Sequence, residues 1–530
     1  MKRSRSLSLA VLAAAVLALS TLPAAQAPAT KGAAALEFDS CTSILVGRLA
    51  SVDGSTMTSH SCDSGTDRTW MTIVPNMKHK PGEMAKVYYD PKRTKGPADP
   101  DRLETGEIPQ VAETYAYLNA AYPIMNEHQL AIGETTIGSR RELISETGII
   151  DAPELYRLVL ERAKTAREAI RVADELTKAW GYNDWGECFT FADTKEVWQF
   201  EIHGPGKGKK GAVWAAQRVP DDEIGVSANA GRILQIDLSD PDRFMASANV
   251  MSLAEEMGYW SKASGKPFEF TYAYDPDSRT SLYCRRREWR VLSLLAPSLK
   301  LNPESENYPF SVKPEKKVGL ADVLAIFRDT YGGTEYDMTR TLTAVNRKGE
   351  TVKSPVATPF MNGDTLALFR LKRERTICSP AATYLQITQS RDWLPGPLGG
   401  VVWIGYDNPA TTPHLPFYIG IGQMPDSYMV DGRWAFSRAC AWWAFRTVSR
   451  LANFRFQEMS RDIEKVWKPM EDKILADQAQ FEKDALELYR KDPKRFRERL
   501  TSYCHNLASQ AVQAYWKLGD DLWLKYSSYF

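Results

Sequence analysis

Cys41 is the residue of this chain best placed to do chemistry, because of what precedes it. Residues 2–5 (Lys-Arg-Ser-Arg) are basic, Leu7 to Leu22 are apolar, and Ala25-Gln26-Ala27 is the small-x-small pattern that a signal peptidase reads. The apolar run is shorter than the roughly 20 residues a membrane-spanning helix needs. Residues 1–27 are therefore expected to be a cleaved signal peptide, giving an exported protein, periplasmic or extracellular, with no stable membrane anchor. Residues 28–40 form a short Ala/Gly/Thr-rich propeptide with no hydrophobic period. The Phe38-Asp39-Ser40 context lacks the small-residue box that precedes a lipid-modified cysteine. A second cut between Ser40 and Cys41 would leave the cysteine N-terminal. Its α-amino group, with an unperturbed pKa of about 7.7–8.0, could then take the thiol proton itself or through one water. Without such processing, a cysteine at the tip of a strand is ordinary core.

The elements that must position this residue can be read around it. Thr42 to Ala50 reads as a strand, Asp53-Gly54 as a tight hairpin turn, and Ser55 to His60 as the return arm. Cys41 then heads one strand and Asp63 comes back beside it. Residues 64–110 read as a long surface excursion with one strand at Lys86–Tyr89. Leu130-Ala131-Ile132 reads as a strand with Asn126-Glu127 in the turn before it, a turn that alone has only a structural meaning. Asp151-Ala-Pro-Glu154 and Thr165-Ala-Arg-Glu168 are capping boxes, each opening an amphipathic helix. Cys188 to Glu201 alternates as a hairpin turning at Asp193-Thr-Lys195, followed by a strand at Gly211–Val219. Arg285, Arg286 and Arg287 lead into an apolar helix at Val291–Leu295, and alone would be a solvated face. Two more strands are expected at Tyr384–Gln389 and Gly400–Gly405. From Trp434 the spacing turns helical, with Pro469 and Pro493 expected to kink or break it.

Three segments carry a resemblance. Cys41-Thr42 runs through a strand into Asp53-Gly54-Ser55; Asn126-Glu127 precedes Ala131-Ile132-Gly133; and Ala228-Asn229 precedes Arg232-Ile233. Together they resemble the cysteine dipeptidase (secernin-like) family of N-terminal-nucleophile hydrolases over most of residues 41–430. The resemblance implies an α+β fold, a four-layer αββα sandwich, with a catalytic domain over 41–433 and a helical C-terminal region over 434–530. It implies Cys41 as nucleophile, Asn126 in the oxyanion hole, Asn229 as a second active-site amide and Asp63 holding the Cys41 amine. One arginine closes the site behind the nucleophile; the spacing to Trp289 favours Arg287, with Arg285 and Arg286 one slip away. Glu127 and His60 are candidate substrate contacts. At His60-Ser61-Cys62-Asp63 many relatives have Arg-Asn-Glu-Asp, so Asp63 matches the pattern and the arginine's role has no counterpart at His60. A papain-style base is a second role open to His60.

The balance of 67 basic and 66 acidic residues gives no electrostatic case for nucleic acid. The six histidines are scattered, with no His-Glu-x-x-His, and Gly-x-Ser-x-Gly is absent, so no metal or other cofactor is expected. Seven cysteines in about 490 mature residues are not disulfide-dense; six buried thiols are as good a reading as three bridges. The expected reaction is hydrolysis of dipeptides or short peptides, and the chain is compatible with a homo-oligomer. The alternatives are an acylase acting on N-acyl amino acids or related small amides, and a secreted binding protein without activity. A peptidase needs a free substrate amine, an acylase prefers it blocked, and a binding protein has no reason to begin at Cys41.

Overall fold

The computed structural model describes residues 40–65, 69–89 and 103–529. The signal-peptide and propeptide readings lie outside them, apart from Ser40. Six strands and six helices matter for the site. They are β1 (Ser40–Val46), β2 (Thr56–Asp63), β3 (Ala131–Thr136), β4 (Glu187–Ala192), β5 (Ile224–Ser227) and β6 (Tyr384–Ser390). The helices are α1 (Ala152–Leu160), α2 (Ala166–Trp180), α3 (Leu282–Leu295), α4 (Ala441–Ala452), α5 (Phe456–Lys491) and α6 (Pro493–Tyr526).

Two large sheets dominate, and every strand pair in them is antiparallel. A seven-stranded sheet runs from Ser311–Val312 through β5, β1, β2 and β6 to Val401–Tyr406 and Leu415–Tyr418. An eight-stranded sheet contains β3 and β4 at its middle. They meet through hydrogen bonds rather than grease alone. Ser43 donates to the carbonyl of Glu134 (2.8 Å), Gln386 to that of Ile132 (3.0 Å), and the Thr58 and Thr190 hydroxyls pair at 2.6 Å. Gly133 permits this approach: a Cβ there would lie 2.3 Å from the Ser59 carbonyl.

Both capping boxes start helices as expected. Asp151 accepts from the Glu154 amide (2.9 Å) and Thr165 from that of Glu168 (3.2 Å). Helix α2 packs on β4 and its neighbour Val197–His203. Four expectations need correction. The 64–110 stretch carries strands at Thr72–Val74, Met77–Lys78, Met84–Tyr89 and Leu103–Pro109 rather than one, the first of them pairing at the edge of the eight-stranded sheet. β1 ends at Val46, and β2 begins only at Thr56, so a nine-residue loop replaces the tight hairpin turn. Gly47 is the reason: it packs backbone to backbone on Asp221, and the Leu49 and Ala50 amides both donate to the Asp221 carbonyl (2.8 and 3.0 Å). Helix α3 starts nine residues before Val291, so the three arginines sit inside it. Pro469 does not break α5, whereas the helical run does break before Pro493 as expected: α5 ends at Lys491, and Pro493 opens α6 in its first turn, where its missing N–H is not needed.

The described residues cluster as one compact unit, and α4–α6 belong to it. α4 packs on Val401–Tyr406 and α6 on Leu415–Tyr418. Polar links lock them there: Trp442 donates to the Thr383 carbonyl (3.2 Å), Arg328 pairs with Glu471 (2.8 Å) and Arg391 with Glu482 (2.8 Å). No described helix is long and apolar enough to cross a membrane.

Candidate active site

Cys41 is the second residue of β1 and is gripped on both sides of its backbone. Its N–H donates to Asn229 Oδ1 (3.0 Å) and its carbonyl accepts from Arg287 Nη1 (2.6 Å). Asn229 sits just past β5 with φ of 62°, a left-handed conformation that asparagine tolerates better than most residues. Arg287 also donates to Asn229 Oδ1 (2.9 Å), the Ala228 carbonyl (2.9 Å) and Thr42 Oγ1 (3.0 Å), and is wholly buried. Successive helical residues point about 100° apart, so the neighbouring arginines diverge. Arg285 donates to the Glu304, Ser305 and Thr280 carbonyls, and Arg286 pairs with Glu304 and Glu374. Of the three, Arg287 is the one on Cys41.

His60 reaches the thiol from β2. Its Nε2 lies 3.3 Å from Cys41 Sγ and 2.9 Å from Glu134 Oε2 of β3, with all three residues buried. Tyr122 and Tyr384 press their edges on the ring at 5.4 and 5.6 Å between centroids. Burial opposes charge on His60, but the Glu134 carboxylate outweighs it and raises the ring to about 9. Burial likewise opposes ionisation of Glu134, and the His60 cation overcomes it, holding the carboxyl below its ordinary range. At neutral pH the pair is an imidazolium and a carboxylate, so the ring beside the thiol is a cation. A cation there favours the thiolate. Glu134 is further tied through Thr136, whose hydroxyl lies 3.1 Å from both Glu134 Oε1 and Glu187 Oε1.

Asp63 lies opposite Ser40, the residue just before Cys41. Its carboxylate accepts from Ser40 Oγ (3.4 Å) and is in close contact with Arg375 Nη2. Burial pushes Asp63 up to about 6 against the pull of Arg375 and Arg287, which leaves it ionised at neutral pH. Ser40 Oγ also accepts from Arg375 Nε (3.1 Å) and the Tyr283 hydroxyl (3.3 Å).

The structure does not bring Asn126 or Glu127 to this cluster. The two amide hydrogens of Asn126 go to the Leu160 and Ala163 carbonyls (both 2.8 Å), and its oxygen accepts from the His128 and Leu130 amides (3.0 and 3.2 Å). No N–H remains for an oxyanion, and the asparagine as placed fixes the turn into β3 against the end of α1. Glu127 accepts from the Ala116 amide (2.8 Å). Glu134 and Arg375 carry no signal of their own in the sequence: Glu134 is one polar position of a strand, and Arg375 lies in the charge run Lys372-Arg373-Glu374-Arg375.

Among the described residues, Cys41, His60 and Glu134 are the group whose ligand atoms, all within 4.8 Å of one another, could hold a metal ion. That donor set suits a soft divalent cation, which would occupy the thiol. All seven cysteines are buried thiols.

The sequence profile of Peptidase family C69 matches residues 40–469. A "Probable dipeptidase" of Latilactobacillus sakei is 26% identical over 405 residues, covering 74% of this chain and 77% of that protein. A "Probable dipeptidase" of Salmonella dublin is 26% identical over 439 residues, 78% of this chain and 90% of its own. A "Probable dipeptidase B" of Lactococcus lactis subsp. lactis is 25% identical over 464 residues, 82% and 90%. A matching span that begins at Ser40, one residue before the thiol gripped by Asn229 and Arg287, decides the assignment: the chain belongs to peptidase family C69, the cysteine dipeptidases that its N-terminal motifs resemble.

Proposed function

We propose that this protein hydrolyses dipeptides or similarly short peptides through Cys41, after export and removal of the residues before it. Membership of family C69 and the names of the relatives support the reaction. The observation that carries the residue assignment is Cys41 Sγ beside the His60–Glu134 ion pair, with its backbone held by Asn229 and Arg287. The two antiparallel sheets with helices on β4 and on Val401–Tyr406 are consistent with the four-layer αββα arrangement of N-terminal-nucleophile hydrolases.

The chemistry follows from the placements. Cutting the Ser40–Cys41 bond converts the Cys41 N–H into an amine that keeps Asn229 Oδ1 as acceptor, with Asp63 one residue away on the facing strand. The amine takes the thiol proton. The His60 cation, unable to act as base while charged, steadies the thiolate as it attacks the scissile carbonyl. One N–H of Asn229 Nδ2 is bound to the Thr136 carbonyl (2.7 Å), and the other serves the oxyanion. The amine then returns the proton to the leaving amine, and water releases the acyl-enzyme.

The test pairs a free dipeptide with its N-acetylated twin, using wild type and Cys41→Ala. Hydrolysis of the free dipeptide alone, abolished in Cys41→Ala, is the expected result. Faster cleavage of the acetylated compound would make the protein an acylase, and full activity in Cys41→Ala would remove the nucleophile.

A further inference from the structure

Cys62 has no part in the reaction above, yet it stands directly across from the nucleophile. Cys41 on β1 and Cys62 on β2 are register partners, so their side chains leave the sheet on the same face. The backbone bonds show which kind of partners they are. The N–H and carbonyl of Cys41 point away from β2, to Asn229 and Arg287, and the carbonyl of Cys62 points away from β1, accepting from the Thr383 amide (2.7 Å). The two therefore form a non-hydrogen-bonded pair, in which Cα atoms are about 4.5 Å apart and side chains come closest. That spacing falls within the span of about 4.4–6.8 Å that disulfides bridge. Among the described residues, no other two of the seven cysteines are strand partners. The His60 ring adjoins both sulfurs, Cys41 Sγ at 3.3 Å and the Cys62 thiol beside it.

We propose that Cys41 and Cys62 close into a reversible cross-strand disulfide that switches the enzyme off, with a small-molecule disulfide as oxidant. The Cys41 thiolate attacks one sulfur of the oxidant, giving a mixed disulfide and releasing the first small thiol. Cys62 then loses its proton and attacks the Cys41 sulfur, and the second small thiol leaves with that proton. Two protein thiols are oxidised and one external disulfide is reduced to two thiols. No backbone movement beyond the spacing of the strand pair is needed, and a reducing thiol reverses both steps. The blocking half of the proposal rests on Cys41 being the nucleophile.

The experiment treats the purified protein with oxidised glutathione, maps peptides by mass without reduction, and follows dipeptide hydrolysis before and after dithiothreitol. The expected result is a linked peptide pair containing Cys41 and Cys62, at least a tenfold loss of rate, and recovery on reduction. Cys62→Ser should keep its basal rate and stop at the glutathione adduct on Cys41. Loss of activity with only that adduct in the wild type would overturn the bridge while leaving Cys41 as nucleophile. A complete Cys41–Cys62 bridge in an enzyme of undiminished rate would overturn the switch and the nucleophile assignment together.

Discussion

Glu134→Gln measures what a buried carboxylate does for the histidine beside the thiol. With Glu134 ionised, His60 is raised from 6.5 to about 9. A raised cation contributes stability that is complete below its unfolded value and is lost as pH climbs through the folded one. The stability difference between wild type and Glu134→Gln, read by urea unfolding, should be on the order of 3 kcal/mol near pH 6 and vanish or invert by about pH 10. The two asparagines should separate in kcat. Asn229→Ala should lower kcat by about 10²–10³. It should also cost about 1–3 kcal/mol in unfolding, because it strands the buried Arg287 and the Thr136 carbonyl and puts alanine at φ of 62°. Asn126→Ala leaves two buried carbonyls without donors, costing about 1–3 kcal/mol each in stability, and should spare kcat in the folded fraction. A large fall in kcat for Asn126→Ala would mean that its amide leaves Leu160 and Ala163 when substrate binds. Chelators should leave the rate unchanged, while added zinc should inhibit through Cys41, His60 and Glu134.

The order of elements was legible in the chain where pattern and turn chemistry agreed. Both capping boxes, the hairpin turning at Asp193, and the strand at Tyr384 followed from residues a few positions apart. What failed was non-local. Asp53-Gly54 has hairpin chemistry, but the grip of Asp221 on Gly47 and Leu49 ends β1 early, and nothing between residues 42 and 60 announces that. The site shows the same limit. Cys41 and Asp63 could be paired from one hairpin, whereas Glu134 and Arg375 arrive from segments whose approach only the sheet-to-sheet contact determines. Gly133 sets that approach. Gly133→Ala would put a methyl 2.3 Å from the Ser59 carbonyl and 2.5 Å from Thr190 Oγ1. Forcing it in should cost about 1–3 kcal/mol or more and shift Glu134 away from His60. Urea unfolding and the alkaline limb of the stability profile would both report it.

At the scale of the molecule, the C-terminal helices are not an accessory that can be cut away. Trp442, Phe445 and Tyr515 are buried, and Arg328–Glu471 and Arg391–Glu482 tie α5 to the rest of the chain. A chain ending at residue 433 should be insoluble or lack a cooperative unfolding transition, which solubility and thermal melting would show. The grip of Arg287 on the Cys41 carbonyl has its own consequence for the proposed cut before Cys41. A new chain end is ordinarily the part of a protein that frays first, and a nucleophile that frays samples many orientations for each productive one. Arg287, reaching from the middle of a buried helix, fastens the first peptide group behind that end. Such a cut would free an amine without loosening the strand that carries the thiol.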